Sequence, residues 1–374
     1  MGRWLRRLLL TAVLLAVVAA GGIGWSYSSE ILVPEAPATP GYETQVTAVS
    51  SDQVTLTATE PARRPGVWGL RFADGYAQAG DVVGAGVGTV TRRLRRLGDL
   101  PVEGQGVHVD GYAYPEDPAE AGFDFPVQEV GIEGPLGRYP AWLAGGDQHG
   151  DAWAIHVHGR GARRSECFRQ LDVFNAAGIP SLCVSYRNDA DAPPSPDGLY
   201  HQGDTEWQDV EAAIDFAQAQ GARDIVLVGY SMGGQITANF LRRSPDAGAV
   251  VAVVWDSPLL DWTAALGMAA QDRGVPSWAV PLGMFASELR ADLHYDELDQ
   301  IAAADDFDVP ILLFHGSADA TVPVGDSDEF AAARPDLVTY ERVQGAGHVE
   351  CWNADPQRYE RVLAGFLDQQ PGGG

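Results

Sequence analysis

Apolar positions divide the chain into three parts with different periodicities. Residues 8–25 form one apolar run without a charged side chain. Residues 41–125 contain short stretches in which apolar and polar positions alternate, a pattern typical of half-buried β-strands. From about residue 127, short apolar runs alternate with amphipathic segments. That last pattern predicts an α/β fold, a mostly parallel sheet covered by helices on both faces.

The third part predicts eight strands and five helices. The first two strands are joined by a short glycine-containing turn, so we expect them to form the antiparallel edge of a mostly parallel eight-stranded sheet. The strands are predicted at 127–133, 139–144, 152–158, 180–186, 225–230, 249–255, 310–315 and 338–343. The helices are predicted at 165–177, 205–220, 232–243, 326–333 and 355–369.

The N-terminal residues 1–29 are predicted to be a membrane anchor or a signal peptide. Arg3, Arg6 and Arg7 precede the apolar run at 8–25, which is just long enough to span a bilayer of about 30 Å. The positive-inside rule then places the N-terminus in the cytoplasm and the rest of the chain outside. An uncleaved anchor is the favoured interpretation. Residues 18–20 (Val-Ala-Ala) also fit a cleavage site, so secretion after cleavage is the alternative.

The remaining boundaries follow from composition. Residues 30–40, rich in proline and alanine, are expected to form a linker. Residues 41–125 are predicted to form a small β-rich accessory domain, in which Thr91–Leu97 is a basic patch, and residues 126–370 the main domain. The sequence assigns the accessory domain no function, and packing near an active-site mouth is one option it leaves open.

Charge and cysteine content narrow the class of protein. The net charge of −26 argues against nucleic acid and against an anionic membrane surface as partners. Three cysteines imply no disulfide framework, and Cys167 and Cys183 are expected to be buried thiols. His156 and His158 alternate along one strand and are expected to be packed there. Since the sequence has neither zinc-ligand spacing nor a phosphate-binding loop, no metal or cofactor is predicted.

Residues 225–234 contain the segment that predicts chemistry. A buried-type strand runs directly into Gly229-Tyr230-Ser231-Met232-Gly233, and a helix follows. Such a strand-to-helix turn is so tight that the residues two before and two after the serine must lack bulk. The serine hydroxyl then projects above the sheet, where a histidine can take its proton. Ser231 is therefore the predicted nucleophile.

Two further groups follow in the order that a serine triad on such a sheet requires. Asp319 and His348 each follow an apolar strand, at the sheet edge where open α/β folds build their sites. We predict that His348 is the general base and that Asp319 orients it. Asp256, which follows the sixth strand, is the rival acid. Cys351 lies close to His348 in sequence but is not predicted to be a nucleophile.

An oxyanion hole needs two backbone N–H groups aimed at the developing charge. Met232, directly after the nucleophile, is predicted to supply one. The loop after the third strand is predicted to supply the other, from Arg160 or Gly161, and the sequence does not distinguish between these two. The Arg160 side chain could also face an acidic substrate, although a surface salt bridge is the commoner fate of such a side chain.

These segments together make residues 126–370 resemble the α/β-hydrolase superfamily. The stretch from His315 to Pro323 resembles the H-G-x-x-D-x-x-V-P pattern around the acid of many members, which favours Asp319 over Asp256. The segment 186–196 and the helix at 207–219 are similar to Bem46-like and acylaminoacyl-peptidase-like hydrolases. Residues 345–356 are similar to uncharacterised actinobacterial hydrolases. The His-Gly-Gly-Gly run of hormone-sensitive-lipase-type esterases is missing. A serine rather than an aspartate at the nucleophile position, residue 231, counts against haloalkane dehalogenase chemistry.

An insertion at about 259–308 is expected to form a short cap over the site. Its apolar side chains would line an acyl pocket, although most of them are expected only to pack the cap onto the sheet.

The resemblance and the triad together imply a serine hydrolase that cleaves a carboxylic ester through an acyl-enzyme. The alternatives are a peptidase of the acylaminoacyl or dipeptidyl type and an acyltransferase acting on cell-envelope acceptors. A non-catalytic binding protein on this fold is disfavoured. The expected partner is a small-molecule acyl ester or amide, and the sequence does not address the oligomeric state.

Overall fold

A computed structural model of the chain describes residues 3–34, 41–146 and 150–370. Helix α1 (Arg3–Leu32) is one continuous apolar helix that ends three residues beyond the predicted 1–29 segment. By length and composition it could cross a membrane. The helix therefore includes residues 30–32, the start of the predicted linker. Leu32 at its end is fully buried. Residues 35–40 of that linker lie outside the described residues.

The predicted β-rich N-terminal domain is confirmed as a closed six-stranded barrel with strand order β1-β2-β5-β4-β3-β6. Its alternating apolar side chains, among them Val46, Leu56 and Leu70, point inward and form a separate core. The strands are β1 (Thr44–Val49), β2 (Gln53–Thr57), β3 (Trp68–Phe72), β4 (Gly75–Gly86), β5 (Thr89–Leu97) and β6 (Gly106–Asp110), with the short helix α2 (Glu60–Arg63) between β2 and β3.

The predicted basic patch at Thr91–Leu97 is only partly correct. In β5 the side chain of Arg92 points inward and is 1 % exposed, because alternate residues of a strand face opposite sides. Its guanidinium donates hydrogen bonds to the backbone carbonyls of Gly80, Ala62 and Gly66 at 2.9, 3.0 and 2.7 Å. Burial lowers the pKa of Arg92 to about 10. This arginine therefore holds the barrel together from inside.

The main domain is an eight-stranded sheet in the order β14-β13-β12-β11-β9-β10-β8-β7. The first two strands of the domain, β7 and β8, are antiparallel to each other, and β8 is antiparallel to β10. The remaining neighbours are parallel, so the predicted fold class is confirmed. The strands are β7 (Val127–Gly134), β8 (Gly137–Ala144), β9 (Ala152–Val157), β10 (Ser181–Val184), β11 (Asp224–Tyr230), β12 (Val250–Asp256), β13 (Ile311–Gly316) and β14 (Val338–Val343).

Helices cover the sheet and form the cap. The predicted cap insertion contains α6 and α7, and α7 packs against the second half of α1. The helices after α2 are α3 (Phe168–Ala176), α4 (Trp207–Ala219), α5 (Met232–Arg243), α6 (Trp262–Asp272), α7 (Val280–Ala291), α8 (Val324–Ala333), α9 (Cys351–Ala354) and α10 (Pro356–Leu367).

The expectation of two free buried thiols was wrong. Cys167 and Cys183 form a disulfide across a sequence separation of 16 residues. Cys167 lies in a 3-10 turn that leads into α3, and Cys183 lies on β10. Parallel pairing of β9 with β10 brings the start of the connecting helix over β10, a proximity that cysteine counting does not reveal. Cys351 is free and buried.

The barrel is attached to the main domain beside α9. The backbone N–H of Val67 donates to the Asn353 carbonyl at 2.8 Å, and the Asn353 amide donates back to the Val67 carbonyl at 2.8 Å. Arg64 forms an ion pair with Glu350 at 2.9 Å. The barrel thus contacts the segment that directly follows His348.

Candidate active site

The turn between β11 and α5 has the geometry of a strained elbow. Ser231 has a φ of 52° and a ψ of −118°, a conformation that a non-glycine residue adopts only where the surroundings enforce it. A Cβ on Gly229 would lie 2.7 Å from the Gly233 carbonyl oxygen. A Cβ on Gly233 would collide with the Val157 carbonyl oxygen. The two glycines therefore allow the turn to close and to present the serine.

The three residues predicted as a triad lie together at the carboxyl edge of the sheet. His348 Nε2 is 2.9 Å from Ser231 Oγ, and His348 Nδ1 is 2.7 Å from Asp319 Oδ2. Ser231 follows β11, Asp319 follows β13 and His348 follows β14, so three strand ends supply one hydrogen-bonded chain. The serine proton can pass to the imidazole, which the carboxylate orients.

Asp319 is held ionised by its neighbours. Burial alone would raise the pKa of Asp319, but hydrogen bonds from His315 and His348 hold it well below its ordinary value. Its second oxygen accepts the backbone N–H groups of Thr321 and Val322 at 2.8 and 2.9 Å. His315 is itself fixed by the Ser327 hydroxyl at 2.7 Å. These contacts leave Asp319 one orientation, with Oδ2 toward the imidazole.

The rival acid Asp256 lies elsewhere in the fold. Its side chain is buried at the end of β12, where burial raises its pKa although the Arg169 guanidinium and the Tyr359 hydroxyl oppose the shift. Its backbone carbonyl accepts the N–H of Ser231 at 3.1 Å. The backbone of Asp256 thus helps to hold the nucleophile turn, and the carboxylate that contacts His348 is that of Asp319.

The loop after β9 approaches the nucleophile closely. A Cβ on Gly159 would lie 3.0 Å from the Ser231 Cβ, so any larger residue there would crowd the nucleophile. His158 fixes this loop by contacting Asp189 at 2.8 Å and the Gly159 carbonyl at 2.9 Å. Burial would lower the pKa of His158, but the Asp189 carboxylate raises it overall. Among the described residues, no group of His, Cys, Asp or Glu side chains could hold a metal ion.

The two candidate residues for the second oxyanion N–H line different cavities. Arg160 and Met232 line the cavity that contains Ser231 and His348. Gly161 lines a separate cavity. Arg160 is therefore the candidate that lies beside the nucleophile.

The cavity beside the nucleophile is mostly apolar, with Glu30 and Arg273 also in its wall, and has a volume of about 300 Å³. That volume is at the lower end for small-molecule sites, which suits a single acyl group. From the cap, the wall includes Leu259, Trp262 and Leu266. Other apolar cap residues either pack inward, as Leu260 does, or are exposed, as Phe285 is.

Comparison with known families places the chain. Residues 154–362 match the Alpha/beta hydrolase family, which is more than half of the 374 residues. The chain belongs to the alpha/beta hydrolase family. Residues 45–107 of this hydrolase match a Domain of unknown function (DUF8805), so the barrel has relatives of its own.

Individual relatives of this alpha/beta hydrolase agree with that assignment. The pimeloyl-[acyl-carrier protein] methyl ester esterase of Chromobacterium violaceum is 27 % identical over 198 residues, covering 43 % of this chain and 77 % of that protein. The structure of a Pyrococcus furiosus esterase has a TM-score of 0.54 and 19 % identity, covering 66 % of this chain and 92 % of that chain. A Mycobacterium tuberculosis puromycin-hydrolyzing peptidase has a TM-score of 0.54 and 18 % identity, covering 86 % of this chain and 47 % of that chain.

The sequence missed one wall of the site of this hydrolase. Tyr27, Glu30 and Ile31 at the end of α1 line the cavity together with Ser231 and His348. Arg160 lines this cavity too, and its guanidinium forms no ion pair within the described part of the chain. It donates to the carbonyls of Glu30 and Ile31 at 3.0 and 3.1 Å, where a cation stabilises the negative end of a helix. The helical stretch that continues past residue 25 was the signal in the sequence for this part of the wall. The sequence did not show which part of the protein that stretch packs against.

Proposed function

We propose that this alpha/beta hydrolase is a serine esterase that cleaves a carboxylic ester through Ser231, His348 and Asp319. The observation that carries the proposal is the hydrogen-bonded chain of these three side chains at the wall of an apolar cavity. The Chromobacterium relative, which is named a methyl ester esterase, supports an ester over an amide. No cofactor is required by this chemistry.

The reaction follows from the geometry. His348 takes the proton of Ser231 as its oxygen attacks the ester carbonyl, and Asp319 stabilises the imidazolium that forms. The backbone N–H groups of Met232 and Arg160 hold the oxyanion, each contributing about 3 kcal/mol to lowering the barrier. The imidazolium then protonates the leaving alcohol. Water, deprotonated by His348, cleaves the acyl-enzyme to give the free acid.

A substrate panel separates the esterase from the peptidase that the sequence left open. p-Nitrophenyl esters of increasing chain length would be compared with blocked aminoacyl anilides, using wild type and Ser231→Ala. We expect turnover of esters that Ser231→Ala lacks, and little turnover of anilides. A preference for anilides would contradict the esterase proposal. The resemblance to acylaminoacyl-peptidase-like hydrolases, which rests on residues 186–196 and the helix at 207–219, would gain support from anilide turnover.

The proposal includes a location, with the enzyme anchored through residues 8–25 and its main domain outside the cytoplasm. The apolar helix α1 supports it, and so does the Cys167–Cys183 disulfide, because disulfides persist chiefly in oxidising compartments. Fractionation without detergent, followed by N-terminal sequencing, tests it. Full-length protein should stay with the membrane, and a soluble form beginning near residue 21 would contradict the anchor.

A further inference from the structure

Helix α1 has two halves with opposite surroundings. Large apolar side chains from Trp4 to Val18 are mostly exposed. The uncharged run 8–25, 18 residues, would be about 27 Å long as a helix, close to the thickness of a bilayer core. The second half, residues 21–32, is docked on the protein. One rigid helix therefore connects an exposed apolar rod to the cap.

The docking of the second half on α7 is built and specific. A Cβ on Gly24 would lie 2.7 Å from the Leu282 carbonyl oxygen, so the two backbones are in close contact. Arg290 of α7 donates to Ser28 Oγ at 2.6 Å and Ser29 Oγ at 2.8 Å.

The end of α1 is fixed by the loop that carries the oxyanion N–H. Besides the Arg160 contacts, the Gln202 amide donates to the Ile31 carbonyl at 2.7 Å, and the Tyr200 N–H donates to the Leu32 carbonyl at 2.8 Å. The membrane helix and the active site therefore form one unit, in which the helix end is a wall of the acyl cavity.

The surface around this junction is apolar and exposed. Trp25, Trp278, Phe285 and Leu289 are 60, 61, 59 and 72 % exposed, and we call these four side chains the apolar rim. Trp25 belongs to α1, Trp278 to the turn before α7, and Phe285 and Leu289 to α7. Tryptophan at such a level is typical of a membrane–water interface. Trp25 lies on the same helix as the exposed apolar residues from Trp4 to Val18, so the occupant that fits the rim is a lipid bilayer.

We infer that the apolar rim lies in the bilayer surface and that the active site takes long-chain acyl esters directly from the membrane. This inference rests on the proposed esterase function and adds a substrate class to it. The acyl chain would occupy the cavity that Ile31 of α1 and Leu266 of α6 line beside Ser231, where Glu30 and Arg273 form an ion pair at 3.7 Å in the same wall. The net charge of −26 disfavours attraction to anionic lipid, so the contact between the apolar rim and the bilayer depends on apolar side chains.

The test compares one soluble and one membrane-held ester in the full-length protein, reconstituted in phosphatidylcholine vesicles. p-Nitrophenyl butyrate reports the chemistry, and p-nitrophenyl palmitate dissolved in the vesicles reports access from the bilayer. The variant Phe285→Ser/Leu289→Ser changes the rim without changing the cavity wall. The matched control is Val87→Ser/Val102→Ser, which makes two exposed apolar residues of the barrel polar.

The rim variant should lower palmitate turnover by roughly tenfold while butyrate turnover stays within twofold, since about 1.4 kcal/mol of apolar contact corresponds to a factor of ten. The control variant should change neither rate. Equal palmitate rates in wild type and rim variant would overturn membrane access and leave the esterase proposal standing. Absence of both activities in wild type would overturn the esterase proposal, and this inference with it.

A second variant tests the wall that α1 contributes. Ile31→Trp should lower the ratio of palmitate to butyrate turnover and shorten the preferred acyl chain, because the larger side chain fills part of the cavity. An unchanged chain-length profile would show that α1 does not bound the acyl site.

Discussion

The disulfide between Cys167 and Cys183 should contribute a measurable part of the stability of the main domain. Closing a loop of 16 residues removes chain entropy from the unfolded state, which corresponds to about 3 kcal/mol at 25 °C. For a domain of this size, each kcal/mol shifts Tm by roughly 2–4 °C. Reduction should therefore lower Tm by roughly 6–12 °C. Both cysteines are buried, so complete reduction is expected to need partial unfolding.

The assay is thermal unfolding of the full-length protein in detergent, monitored by circular dichroism, with and without a phosphine reductant. Cys167→Ala/Cys183→Ala should unfold at the lower temperature in both conditions. Cys351→Ser, which removes the free cysteine, should respond to the reductant as wild type does. Three free thiols in the unreduced protein, or a Tm that does not respond to the reductant, would refute the reasoning.

Three further predictions follow from the site and its support. Gly233→Ala should abolish ester turnover and lower Tm, because the added Cβ collides with a backbone carbonyl. Gly267→Ala, where a Cβ would have nothing within 4 Å, should raise the free energy of unfolding by about 0.5–1 kcal/mol. Calorimetry and ester assays check both variants. Burial lowers the pKa of His156 to about 3, so the unfolded chain binds a proton that the folded chain does not, and stability falls as pH drops below about 6.5. Between pH 7.5 and pH 5.5 this proton binding should lower the free energy of unfolding by about 1.4 kcal/mol. In urea unfolding, His156→Gln should lack that part of the pH dependence; an equal pH dependence in wild type and variant would contradict the lowered pKa of His156. Asp319→Asn should lower kcat by about 10⁴, and Asp256→Asn by far less; the reverse order would make Asp256 the acid.

Local patterns in the sequence were sufficient for the sheet and for the three residues proposed as the triad. The central strands, from β9 to β13, are buried on both faces and read as apolar runs, and all eight strands were predicted close to their observed ends. The elbow needs its glycines within five residues of one another, and Asp319 and His348 follow strand ends directly. Each of these signals is contained in a short segment.

Contacts between distant segments were not predictable in the same way. An apolar pattern indicates that a face is buried but not which element covers it, so the docking of Tyr27 and Ile31 at the active site was missed. The pairing of Cys167 with Cys183 depends on how α3 crosses β10. The basic side chain of Arg92 gives no local sign that it faces the barrel interior. These features depend on the tertiary fold.

Labelling with a fluorophosphonate probe tests the central claim most directly, because the probe phosphonylates only a serine that a neighbouring base activates. Wild-type protein should gain the mass of one adduct, mapped by peptide mass spectrometry to Ser231, and Ser231→Ala should gain none. An adduct on another residue, or equal labelling of wild type and Ser231→Ala, would contradict the account.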